Sequence, residues 1–69
     1  MNKFAITLTK ANDRQVLFVS DNKEEAFKKG DEIVKTLMRS SGTLSCIEAN
    51  FDENNNLVGN SYKLLDSWI

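Results

Sequence analysis

The densest run of metal-ligand oxygens in the chain is Asp52-Glu53-Asn54-Asn55-Asn56. Asp52, Asn54 and Asn56 fall at the first, third and fifth positions of an EF-hand-type loop, where alternate side chains converge on calcium. The pattern stops there. Leu57 stands at the sixth position, where the bend needs glycine, and Lys63 at the twelfth, where the ion needs a bidentate glutamate. The same residues suit a hairpin turn, because Asp and Asn bond their own backbone and tolerate left-handed conformation. A turn without metal is the expectation.

Other chemistry lacks its parts. The chain has one cysteine and no histidine. Cys46 therefore has no imidazole to take its proton and no second thiolate with which to hold a metal, and is expected as a small buried or half-buried apolar residue. There is no Gly-rich phosphate loop, and no carboxylate pair whose convergence can be argued for general acid–base work. The expectation is a protein that is not an enzyme and holds no cofactor. Lys28, Lys29, Lys35 and Arg39 invite a phosphate-binding reading. Yet Glu24–Lys28, Glu25–Lys29 and Asp31–Lys35 are acid-before-base pairs at i, i+4, which support a solvated helix face. A phosphate-binding face leaves its cations unpaired. Single-stranded nucleic acid could still lie on a sheet, and Lys3, Lys10, Arg14 and Tyr62 form that alternative contact set.

Size limits the fold that holds these residues. Sixty-nine residues make a single domain, 1–69. Chains this short bury only about 60% of their unfolded surface, and association is a common remedy. A lone cysteine suits a reducing cytosol. The start, MNKFAITLTK, has no apolar run long enough for a signal peptide, and the longest run, Val16-Leu17-Phe18-Val19, is far short of a membrane span. A soluble, cytoplasmic protein with no membrane partner is expected. Net charge is −1, but residues 1–20 carry +2 and residues 43–69 carry −3. That asymmetry orients an association more than it strengthens one.

Phe4 to Thr9 alternates large apolar with small or polar residues, the pattern of a half-buried strand. Ala11-Asn12-Asp13 supplies turn chemistry, and Arg14 to Ser20 reads as the return strand, with Val16 and Phe18 on one face and Leu17 and Val19 on the other. Asp21-Asn22-Lys23-Glu24 has capping-box spacing with Asp21 as cap. The helix it opens is expected to run toward Gly42. Ala26, Phe27, Ile33, Val34, Leu37 and Met38 share an arc of about 140°, and Gly30 lies near its centre. A glycine there costs roughly 0.5–1 kcal/mol against alanine. It either fits the helix closely to the sheet, with a ring such as Phe4 or Phe18 in the notch, or ends one short helix before a second. The apolar stripe keeps its phase through residue 30, which favours the fitting.

Thr43 to Phe51 and Leu57 to Leu65 read as a second hairpin. The fold class is therefore α+β: a two-layer ββαββ domain, a four-stranded antiparallel sheet with one helix on one face, its strand order open. One helix covers only one face, and apolar residues remain. Leu44, Tyr62, Leu65, Trp68 and Ile69 form a candidate interface for a second copy or another protein. Alternatively the tail folds back and caps the open face, with Trp68 as its lid.

The VLFVSDNKEEAFKKGDEIVKTL block and the FDENNNLVG hairpin give the chain a style that resembles the small uncharacterised cytosolic proteins of Firmicutes conjugative and other mobile elements. The resemblance implies an accessory role in such an element's maintenance or transfer. It implies no reaction and no site residue. The functional expectation is a non-enzymatic protein-interaction or self-association module, with single-stranded nucleic-acid binding as the alternative.

Overall fold

The structure, a computed structural model, describes residues 2–11, 13–36 and 42–68. Asn12, Leu37, Met38, Arg39 and Ile69, all placed by the sequence reading, lie outside the described residues. Among those described, the elements run β1 (Asn2–Lys10), β2 (Asp13–Ser20), α1 (Lys23–Val34), β3 (Thr43–Phe51) and β4 (Leu57–Ser67). They build a small α+β domain of one helix and a curled antiparallel sheet, ordered β2-β1-β3-β4. The central strands are those richest in buried residues: Ala5, Ile6 and Thr7 in β1, and Leu44 through Ile47 in β3. Both edge strands are largely exposed.

Asn22, not Asp21, caps α1. Its Oδ1 accepts the amide protons of Glu24 at 2.9 Å and Glu25 at 3.2 Å, an arrangement worth about 1 kcal/mol over alanine. The Asn22 amide donates in turn to Ser20 Oγ at 3.0 Å, which removes the orphan donor that a capping-box glutamate would have served. Asp21 faces Lys3 instead, at 3.9 Å. The helix is also shorter than expected. It stops at Val34, where Thr36 turns both its amide and its hydroxyl onto the Ile33 carbonyl. Lys29 pairs with Glu32 rather than with Glu25, at 3.8 Å.

Gly30 is the fitting that the stripe implied, but the ring in its notch is Trp68. A Cβ at position 30 would stand 2.3 Å from Trp68 Cη2. The indole Nε1–H donates to Asp31 Oδ1 at 2.7 Å, the backbone amide of Trp68 donates to the Leu44 carbonyl at 2.9 Å, and Phe27 meets the ring edge-on. Trp68 therefore closes the helix side of the sheet, not the open side. Phe4 and Phe18 pack nearby in the same cluster, around Ile6, Ala26, Leu44 and Cys46.

Cys46 is fully buried in that cluster, and burial, then the nearby Asp66 carboxylate, push its thiol above the ordinary range. The folded chain thus keeps the thiol neutral where the unfolded chain ionises it, above about pH 8.5. The corresponding stability is intact below that pH and is lost as pH rises toward the folded value. Denaturation midpoints measured at pH 7.5 and 9.5 should fall more in the wild type than in Cys46→Ala. Equal falls would remove the thiol from the account.

Two of the three register shifts among the described residues of the sheet, one in each edge strand, decide which of these side chains reach the other face. Ile6 pairs with Phe18 but Thr7 with Val16, so Leu17 is an extra residue. Val16 and Phe18 consequently point to opposite faces, against the simple alternation expected for this strand. Cys46 pairs with Asp66 but Ile47 with Leu64, which makes Leu65 the extra residue in β4. Leu65 turns into the helix-side cluster, and Leu64 and Tyr62 turn to the side opposite the helix.

Candidate binding groove on the helix-free face

The helix-free face is concave. Strands sit about 4.8 Å apart, so β2 and β4, three steps apart, would be separated by about 14 Å in a flat sheet. Instead, the Arg14 guanidinium of β2 donates to the Tyr62 hydroxyl of β4 and lies 4.0 Å from its ring centroid. The curl explains how Ala5, Ile47, Ala49 and Phe51 become buried with no second layer above them among the described residues. It also brings the β3–β4 turn toward β2, where Asn55 and Asn56 share a shallow cavity with Val16 through Val19. That turn fastens itself. Asp52 Oδ1 accepts from the amides of Asn54 and Asn56, both at 2.9 Å, and Asn55 takes the left-handed conformation. One Asp52 oxygen thus serves the backbone of its own turn, as the turn chemistry of the sequence implied.

Between Arg14 and the central strands lies a groove of about 250 Å³. Its floor carries hydroxyls at alternate positions, Thr7 and Thr9 of β1 beside Thr43 and Ser45 of β3. Ile47 and Leu64 supply an apolar wall. Tyr62 and Leu64 of its lining remain 40% and 58% exposed, and Val16, beside Thr7 on the same face, 38%. By register, the charged strand side chains on this face are Lys3 and Arg14, and none is acidic. Lys3 already has Asp21 and the Asn55 amide oxygen as partners. Arg14 has Tyr62, and no carboxylate among the described residues pairs with it.

Of the candidate interface residues that are described, only Tyr62 stands on this face. Leu44 is completely buried beneath the helix and offers no surface. Leu65 and Trp68 are half-buried on the helix side. The nucleic-acid set divides likewise. Arg14 and Tyr62 meet, Lys3 lies on the same face across Ala49 from Tyr62, and Lys10, opposite Asp13, belongs to the other. Sequence reading missed Val16, Leu64 and the hydroxyl floor. The floor had a signal, since Thr7 with Thr9 and Thr43 with Ser45 are polar pairs at the period-two spacing of one strand face. No protein-family model, curated protein or solved structure matches the chain.

Proposed function

We propose that this chain, a two-layer ββαββ domain with its helix on one sheet face, is a non-enzymatic module that docks protein through the other face. The observation that carries this reading is the exposure of Tyr62 and Leu64 in one groove, with Val16 exposed on the same face beside Thr7. Apolar side chains gathered on a small surface usually mark an interface, whereas scattered ones do not. The mode of docking also follows. Both edge strands carry bulges, at Leu17 and Leu65, which disrupt the regular ladder a new strand would need. Face docking therefore suits the domain better than extension of the sheet. A cytoplasmic accessory of a mobile element is a fitting setting for such a module. Among the described residues no helix is long and apolar enough to cross a membrane.

A second reading, single-stranded nucleic acid on the same face, draws on the meeting of Arg14 with Tyr62. Against it, the guanidinium already occupies a face of the only tyrosine ring, and stacking needs a free ring.

The test uses an apolar fluorescent dye and sedimentation over micromolar to millimolar concentrations. The chain is expected to bind dye or to self-associate, and Leu64→Ser to weaken whichever occurs without changing the unfolding midpoint. A strict monomer that binds no dye would overturn the docking reading. Oligothymidylate binding that falls steeply with salt would favour the second.

A further inference from the structure

We infer that the groove receives a carboxylate, an Asp or Glu side chain borne beside an aliphatic residue on a segment of another protein. The inference rests on the docking reading above and names its partner's chemistry. Three observations converge on it. The strand side chains of the face include two cations and no acid, in a chain whose net charge is −1. Arg14 is held in place without being neutralised: the Tyr62 hydroxyl accepts a hydrogen bond from one guanidinium N–H, and its ring supports the cation. Guanidinium has five N–H donors in a planar fork that matches a carboxylate, and Tyr62 fixes the fork's direction before any partner arrives. The hydroxyls of Thr9 and Thr43 stand beside it to donate to a bound oxygen.

Size selects the class of ligand. About 250 Å³ lies below the usual range of small-molecule sites, about 300–1,000 Å³, and suits one or two side chains. Leu64 and Ile47 offer an aliphatic neighbour its place beside the acid. Charge also separates another protein from a second copy of this chain. Two such faces laid together would bring two Arg14 side chains to one seam, where the one acid at hand, Asp21, already pairs with Lys3, and that costs affinity. A phosphate backbone would satisfy Arg14 equally well, but it brings bases that need a bare ring, and it has no use for the aliphatic wall.

The experiment is a selection of random linear peptides on the whole immobilised chain, followed by backbone-amide NMR mapping of synthetic versions. Peptides that map to Val16, Tyr62 and Leu64 should be enriched in Asp or Glu next to an aliphatic residue. Their affinity should fall about tenfold or more in Arg14→Gln, and in peptides with Gln for Glu, since the lost bond is charge-assisted. Because Arg14 also joins the sheet edges, Thr43→Glu serves as a second variant. It keeps Arg14 and Tyr62, gives the guanidinium an internal acid, and should weaken the same peptides comparably. Peptides that map to the face without acidic enrichment, or that bind Arg14→Gln as well as wild type, overturn the carboxylate and leave docking standing. Failure of every peptide to map there overturns both. Arg14-dependent binding of oligothymidylate in place of peptides overturns the inference in favour of nucleic acid.

Discussion

Gly30→Ala is expected to destabilise the domain by about 2 kcal/mol, although alanine is the better helix former by up to about 1 kcal/mol. The added methyl would lie 2.3 Å from Trp68 Cη2 and 2.5 Å from Cζ2, distances that no pair of carbons sustains. The ring cannot step aside without loss. Its Nε1–H bond to Asp31, its backbone bond to Leu44 and its edge contact with Phe27 hold it from three directions. Since a domain of this size has only about 3–10 kcal/mol in total, the change is large. Trp68→Ala alone should cost about 3 kcal/mol, through lost burial and a cavity over the helix. The double variant separates clash from general damage. With the indole gone, alanine at position 30 meets open space, and its effect should become neutral or stabilising. Chemical denaturation of the four proteins gives the cycle. Trp68 is the sole tryptophan, so its emission should move to longer wavelength in Gly30→Ala as the ring is pushed toward water. Equal costs for Gly30→Ala with and without Trp68 would mean that the close approach does not exist.

The same pair shows what sequence can carry. That residue 30 needed a notch was legible from its phase within the apolar stripe, a property of one short segment. Which ring fills the notch was not legible, because it depends on where β4 lies in the sheet and on the extra residue at Leu65. Neither bulge leaves a periodic trace: Val16-Leu17-Phe18-Val19 is apolar throughout, and Leu64-Leu65 repeats one residue type. Cap position failed for a related reason. Asp21 and Asn22 are both good caps, and the choice went to the residue whose own amide could reach Ser20 Oγ. The groove was half legible. Tyr62 and Arg14 were singled out together, but only as two of four nucleic-acid contacts, with Lys3 and Lys10 and with no sign that the two meet. What joined them is the curl of the sheet, which arises from all four strands and from bulges in both edges. Leu44 went the other way. It reads as spare greasiness on a strand, yet it sits where the helix and Trp68 converge and is wholly buried.

Gly42→Ala should cost still more, about 3 kcal/mol, because what obstructs it is backbone. Gly42 has φ +121°, outside the conformations that L side chains adopt readily, and residues forced there lose about 1–3 kcal/mol. Its missing Cβ would stand 2.4 Å from the Thr9 carbonyl oxygen and 3.1 Å from the carbonyl carbon. A flexible side chain could rotate away from such a contact, whereas the Thr9 carbonyl belongs to a central strand paired on both sides. Relief must therefore come from moving β3 off β1 at the end where Thr9 faces Thr43. Those two residues form the polar end of the groove beside Arg14, so the damage is directional: the groove should open before the opposite end, near Ala5 and Ile47, loosens. Amide hydrogen exchange separates these ends. In Gly42→Ala, protection should fall first around residues 7–9 and 43–45, with residues 47–51 holding until global unfolding. An unchanged denaturation midpoint in Gly42→Ala would show that β3 does not approach β1 this closely, and the floor of the groove would have to be drawn differently.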